Sequence, residues 1–129
     1  NQRSRDMTDV TFEILHRVAD AFARRDVDGI VDSFAEDGEF RNAKGPDYWG
    51  QSFKGKAAIR SYFEPLFANT GDVKWVHTNE FICGDRAVTE WHRTATLQTG
   101  ERQEWLGCDL YTFRRGLIVM KDTYIKVVV

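Results

Sequence analysis

The sequence of 129 residues has few cysteines, few prolines and no excess of basic residues. Its formal net charge of -2 leaves no basic surface of the kind that binds nucleic acid. The two cysteines, Cys83 and Cys108, belong to no C-x-x-C or Cys/His cluster, so we expect reduced structural thiols. No apolar run approaches the roughly 20 residues of a membrane span, and no charged-then-apolar leader is seen. We therefore expect a cytoplasmic protein that binds neither nucleic acid nor a membrane.

Motifs for cofactors and metal ions are also missing. The sequence has no glycine-rich phosphate loop, and its three histidines show no H-x-x-H or H-E-x-x-H spacing. We accordingly predict no cofactor and no metal site.

The first half of the sequence has helical periodicity. Apolar residues at helical spacing predict a first helix from Thr8, capped by Asp9. A second helix is predicted over residues 27–35 and a third over residues 56–68. The aromatic loop between the last two, residues 43–52, contains Tyr48 and Trp49 and would form either a lid over a pocket or a plug for the core.

The second half of the sequence reads as strands. After a short strand at residues 39–42, four consecutive strands are predicted over residues 73–83, 86–98, 101–113 and 117–127. Helices followed by a run of antiparallel strands indicate an α+β fold. We expect one domain over residues 8–129, preceded by a disordered tail at residues 1–7.

The first of two predicted hairpins sets acidic side chains opposite each other. A two-residue turn at residues 99–100 would pair Glu90 with Asp109. His92 would then share their face, two residues further along its strand. We predict that all three point inward.

The second hairpin adds a lysine to this row. A three-residue loop at residues 114–116 would pair Asp109 with Lys121, and Thr123 would lie on the same face. A two-residue turn is the alternative, and it would place Asp109 opposite Asp122.

These hairpins supply the candidate catalytic residues, which are His92, Asp109, Glu90 and Lys121. We predict that His92 transfers a proton, because an ordinary imidazole pKa of about 6.5 suits catalysis near neutrality. Asp109, crowded by Glu90, would stay protonated and donate to a developing oxyanion. The alternative is a structural network in which the charged groups only satisfy one another. The candidate substrate-binding residues are Asn42, His77, Phe40, Tyr48, Trp49, Trp105 and Thr123.

Two segments resemble a known family. The run RDVDGIVDSFAEDG at residues 25–38, and GKAAIR at residues 55–60 followed by Tyr62 and Phe63, resemble the NTF2-like (cystatin-like) superfamily. Within it the chain is similar to ketosteroid isomerase, limonene epoxide hydrolase and the SnoaL-like polyketide cyclases. The resemblance implies a cone of three N-terminal helices packed on a strongly curved, mostly antiparallel sheet of four to six strands. It leaves function open, because enzymes and non-enzymes share this scaffold.

The resemblance also implies a homodimer formed through the outer face of the sheet. Strand alternation places an apolar set on that face: Leu106, Leu110, Ile118, Met120 and Tyr124.

Few individual residues transfer from the relatives. Asp109 matches the ketosteroid isomerase aspartic acid that donates a hydrogen bond to the oxyanion. The general base of that enzyme falls on Asn42 and its tyrosine on Val18. Asn42 also matches a water-holding asparagine of limonene epoxide hydrolase, whose other polar residues fall on His92, Glu90, Thr123 and Phe40. The comparison implies that seven side chains face the cavity: Glu90, His92, Thr94, Trp105, Asp109, Lys121 and Thr123.

Together these observations predict a small-molecule-binding protein. Our leading hypothesis is a cofactor-independent acid-base enzyme, an isomerase, cyclase or lyase such as a dehydratase, acting on a small apolar carbonyl compound. The alternatives are a non-catalytic ligand-binding or assembly module and an epoxide hydrolase-like hydrolase.

Overall fold

A computed structural model describes residues 10–129, which form three helices and a six-stranded sheet. The helices are α1 (Phe12–Ala23), α2 (Val27–Asp32) and α3 (Lys56–Ala68). The strands are β1 (Phe34–Arg41), β2 (Ser52–Lys54), β3 (Thr70–Cys83), β4 (Arg86–Leu97), β5 (Arg102–Arg114) and β6 (Leu117–Ile125). The predicted tail at residues 1–7 and the predicted helix start at Thr8 lie outside the described residues.

The sheet has the strand order β2-β1-β6-β5-β4-β3. The pairing of β1 with β6 is parallel, and the other four pairings are antiparallel. The prediction of an α+β fold with a curved, mostly antiparallel sheet is therefore confirmed.

The core lies between the helices and one face of this sheet. Helix α1 turns Leu15, Val18 and Phe22 toward it, which is the stripe that the helical spacing predicted. Each such apolar side chain contributes about 1.5 to 3 kcal/mol when it is fully buried. The most deeply buried side chains come from all three helices and from strands β1, β5 and β6: Leu15, Ile30, Phe34, Ile59, Phe113 and Ile118.

Two helix boundaries differ from the prediction. Helix α1 begins at Phe12 because Thr11 is its N-cap: the Thr11 side chain accepts a hydrogen bond from the Ile14 N–H at 3.2 Å, whereas the predicted cap, Asp9, lies outside the described residues. Helix α2 ends at Asp32 and not at residue 35, because Phe34 already pairs with β6 and is fully buried. Burial of that phenylalanine outweighs the helical pattern.

The β4–β5 hairpin is one residue out of the predicted register. Its loop has three residues, 98–100, since the Leu97 N–H donates to the Glu101 carbonyl at 2.8 Å. Asp109 therefore pairs with Thr89, and Glu90 pairs with Cys108.

This one-residue shift exchanges the two faces of β4 relative to the prediction. The prediction that Glu90, His92 and Thr94 face inward is wrong. The strand instead buries the alternate set, Ala87, Thr89, Trp91, Arg93 and Ala95. Hiding the apolar members of that set decides the register, because a one-residue shift exchanges the two faces.

The β5–β6 hairpin has the two-residue turn that was the alternative. Arg115 and Gly116, with φ of 53° and 79°, connect Arg114 to Leu117, as in a type I′ turn. The preferred three-residue loop is therefore wrong.

A β-bulge follows this turn and changes the partner of Asp109. Phe113 pairs with Ile118 but Thr112 pairs with Met120, so Val119 is the extra residue on β6. Asp109 therefore lies opposite Thr123, and neither Lys121 nor Asp122 is its direct partner. The two-residue turn pairs Ile118 with the buried Phe113, so Ile118 is completely buried and is not part of the outer face as predicted.

Two smaller expectations can be compared with the structure. No helix in residues 10–129 is long and apolar enough to cross a membrane. Cys83 and Cys108 lie on β3 and β5, with β4 between these strands, and no disulfide joins them.

Candidate functional site

A cavity of about 90 Å³ lies between the helices and the concave face of the sheet. It has room for roughly half a dozen water molecules or one small organic molecule. Most of its wall is aromatic, with rings from Phe22, Phe40, Tyr62, Trp75 and Trp105. A few polar side chains converge on it: Asn42, His77, Arg93, Asp109, Lys121 and Thr123.

A buried ion pair forms part of the cavity wall. Lys121 Nζ lies 2.9 Å from Asp109 Oδ1, and the two residues are 6% and 5% exposed. Thr123 donates to the same carboxylate oxygen at 2.6 Å, and Lys121 donates to the threonine hydroxyl at 3.0 Å. The predicted grouping of Asp109, Lys121 and Thr123 is therefore found, although the strand partners differ.

The second carboxylate oxygen of Asp109 is also bound. Trp91 Nε1 donates to Oδ2 at 2.9 Å, and the Thr89 hydroxyl lies 3.5 Å from it. Lysine and indole groups can only donate, so this arrangement suits an ionised carboxylate. Glu90 lies on the opposite face of the sheet and does not crowd Asp109, which corrects our expectation of a protonated acid.

Gly107 makes room for the indole ring of Trp91. The two residues are direct strand partners. A Cβ at Gly107 would lie 2.5 Å from Cη2 of that ring, so only glycine leaves space for it here. Trp91 was absent from the predicted site, and the correct β4 register would have identified it.

Arg93 is a second residue that the sequence analysis missed. It is only 3% exposed, and its guanidinium lies 4.4 Å from the Trp105 ring centre and 5.4 Å from that of Trp75. Within residues 10–129 it makes one side-chain hydrogen bond, to Gln103 Oε1 at 3.2 Å, and no carboxylate lies within 4 Å.

Burial of the Arg93 charge destabilises the fold by more than its contacts stabilise it. Burial of an unpaired ion costs several kcal/mol, and it lowers the pKa of this guanidinium. Each cation–π contact returns only about 0.5 to 2 kcal/mol. This cation therefore faces the cavity with incomplete compensation.

His77 is the cavity histidine. It pairs with Trp91 across β3 and β4 and lines the same space as the ion pair. Burial lowers the pKa of His77, although the charges of Asp109 and Glu80 partly oppose this effect. The imidazole is therefore neutral at neutral pH and able to accept a proton.

His92 lies outside the cavity. Its Nε2 is 2.7 Å from Glu104 Oε2 on the convex face of the sheet. Glu90 is exposed on that face as well. Neither residue is brought to the candidate site, because the register of β4 turns both away from it.

The remaining predicted residues divide into two groups. Phe40, Asn42, Trp105 and Thr123 line the cavity. Tyr48 and Trp49 do not line it; they are 89% and 63% exposed and contact each other with ring centres 5.1 Å apart. They border a second pocket of about 110 Å³, which shares Asn42 and Thr123 with the main cavity.

Over the part of the chain that the structure describes, no three histidine, cysteine, aspartate or glutamate side chains are grouped so as to hold a metal ion.

The sequence matches a family over most of its length. Residues 6–120 match the SnoaL-like domain, which confirms the resemblance carried by residues 25–38 and 55–60. No curated protein matches the sequence significantly.

Solved structures with the NTF2-like fold are similar to this chain. An NTF2-like protein of unknown function from Burkholderia pseudomallei shares 17% identity over 89% of each chain, with a TM-score of 0.78. A hypothetical protein with a ketosteroid isomerase-like fold from Catenulispora acidiphila, in complex with trimethylamine, shares 20% identity over 89% of this chain and 86% of its own, with a TM-score of 0.77. An epoxide hydrolase/cyclase-like enzyme with a role in pyran ring formation in salinomycin shares 20% identity over 98% and 94%, with a TM-score of 0.76. At these identities the likeness shows the fold alone.

The buried ion pair should matter far more for stability than an exposed one. We expect Lys121→Met to lower the free energy of unfolding by about 3 to 5 kcal/mol, because it leaves the Asp109 carboxylate buried without a cation. Urea denaturation would measure this loss.

An exposed pair with a shorter contact provides the control. Arg114 Nη2 lies 2.6 Å from Asp37 Oδ1 at the surface, and we expect Arg114→Met to change stability little. Adding Asp109→Asn to Lys121→Met should recover part of the loss. Equal losses of stability in Lys121→Met and Arg114→Met would show that burial is not what makes the Asp109–Lys121 pair important.

Proposed function

The chain belongs to the SnoaL-like domain family, and we propose that it uses this scaffold as a cofactor-independent acid-base enzyme acting on a small carbonyl compound. The observation that carries the proposal is His77, a histidine with a lowered pKa that faces the same cavity as the Asp109–Lys121 pair. A small apolar cavity with a few convergent ionisable groups is typical of a catalytic site.

The proposed reaction begins with removal of a proton from carbon. Neutral His77 takes a proton from the carbon next to the carbonyl group; the electron pair of that C–H bond forms a carbon–carbon double bond, and the π pair of the C=O bond moves onto the carbonyl oxygen. Return of the proton to another carbon would complete an isomerisation, whereas loss of a leaving group would complete a dehydration.

Lys121 is placed to stabilise the oxygen that becomes negative. Two of its N–H groups donate to Asp109 and Thr123, which leaves the third for a substrate oxygen. Asp109 is a positioning residue in this scheme, because it holds the ammonium group in place.

A matched pair of histidine variants tests the proposed base. We expect His77→Gln to slow proton exchange at the carbon next to a carbonyl by about 10² to 10⁴-fold. NMR would follow deuterium uptake from heavy water by a panel of small ketones and enones.

His92→Gln is the control, because His92 lies on the convex face. It should exchange protons at the rate of the unchanged protein. Equal loss in both variants, or exchange that does not depend on His77, would overturn the assignment.

The pH dependence of activity follows from the direction of the His77 shift. A base must be unprotonated, and a pKa below 6.5 keeps this imidazole neutral at lower pH than a free histidine. The acid limb of kcat/KM should therefore lie below pH 6.5 and activity should persist through neutrality. A limb at or above the ordinary histidine value would contradict a buried base.

A non-catalytic ligand-binding module is the second candidate. It is favoured by the Asp109 carboxylate, both of whose oxygens are already hydrogen-bonded within the protein. The exchange experiment separates the two functions, since a binding module would bind carbonyl compounds without accelerating their exchange.

We also propose that the convex face of the sheet forms a homodimer. Large, apolar and exposed side chains on this face include Val76, Phe81, Leu106 and Tyr124. Leu106 and Tyr124 line a shallow groove that also contains Glu90 and Cys108. Light scattering at micromolar concentration should give twice the mass of the chain, and Leu106→Glu should give the monomer mass. A monomer in both cases would remove this interface.

A further inference from the structure

We infer that Arg93 binds a carboxylate group of the ligand, so that the compound taken by this cavity is a small planar organic acid. This inference rests on the proposed function in so far as the ligand is a substrate, and it adds the chemical class of the compound that the cavity binds. It rests on Arg93 and does not require that His77 act as a base.

Arg93 has no counter-ion among the residues that the structure describes. Its side chain is almost wholly buried and borders the cavity, yet no carboxylate among residues 10–129 lies within salt-bridge distance. A guanidinium has five N–H donors, and Gln103 accepts from only one nitrogen here. The remaining donors form a fork that matches the two oxygens of a carboxylate.

The charge balance of the cavity also favours an anionic ligand. Asp109 already neutralises Lys121 at 2.9 Å. His77 is neutral at neutral pH because burial lowers its pKa. Arg93 is therefore an excess positive charge in a largely apolar space, where attraction for an anion is stronger than in water.

The shape of the cavity wall beside Arg93 favours a planar ligand. Arg93 lies between Trp75 and Trp105 across the sheet, its guanidinium is near both rings, and Lys44 Nζ lies 5.3 Å from the Trp105 ring centre. Both tryptophan rings also line the cavity. Flat aromatic walls beside a carboxylate-binding fork favour a ligand whose carbon skeleton is planar, as in a conjugated or aromatic acid.

Matched acids and amides test this inference directly. The probes are crotonate and benzoate, each compared with the neutral amide of the same shape, crotonamide and benzamide. Isothermal calorimetry would give affinities, and quenching of Trp75 and Trp105 fluorescence would report occupation of the cavity. We expect at least one acid to bind about ten- to a hundredfold more tightly than its amide.

Variants of Arg93 identify the group responsible. Arg93→Met should reduce this preference for the acid to within about twofold, because it keeps the apolar stem and removes the charge. Arg93→Lys should keep part of the preference, since the charge remains without the fork. Arg102→Met, at an exposed arginine of β5, should behave as the unchanged protein. Circular dichroism would establish that each variant is folded.

The outcomes separate this inference from the proposed reaction. Failure of both acids to bind at millimolar concentration, or equal binding of acids and amides, would overturn the assignment of Arg93. Acid binding that survives Arg93→Met would overturn it as well. If acids bind through Arg93 but the protein accelerates no proton exchange, the enzyme proposal fails and the carboxylate site stands.

Discussion

The contact on which the site depends is the buried ion pair between Asp109 and Lys121. Neither charge is stable in the interior alone, and a mutual distance of 2.9 Å compensates them only with help from neighbours. Thr123 and Trp91 supply that help, and Gly107 is needed so that the indole ring fits. Four strand positions are thus fixed around one carboxylate, which gives the cavity wall a defined geometry.

The two positive charges of the cavity are held in different ways. Lys121 is neutralised within the protein and lies among the rings of Phe22 and Phe40. Arg93 is held by two tryptophan rings and has no charged partner among the described residues. This difference gives the cavity a polarity: one end is internally satisfied, and the other remains open to an incoming anion.

The fold and half of the site could be predicted because they depend on patterns that the sequence states directly. The stripe of α1, the spans of β4 and β5 to within one residue, and the shared face of Asp109, Lys121 and Thr123 required only periodicity and family resemblance, whereas β2 and the first five residues of β1 were missed. Whether Glu90 and His92 face the cavity depended on the length of the β4–β5 loop. One additional residue in this loop turns both to the convex face and brings Trp91 and Arg93 to the cavity instead. Turn propensity could not decide between two and three residues, whereas burial of the β4 apolar side chains did.

The bulge at Val119 has a consequence for how this hairpin can change in evolution. The two-residue turn alone would place Asp109 opposite Asp122, and the extra residue on β6 moves its partner to Thr123. A deletion of Val119 would therefore remove the bulge but keep the turn and leave Asp109 opposite Thr123, because Met120 would then follow Ile118 directly and still pair with Thr112. Regular pairing that retained Val119 would instead shift β6 by one residue and exchange its two faces, so a wall that contains both Lys121 and Thr123 needs either this bulge or a β6 that is one residue shorter.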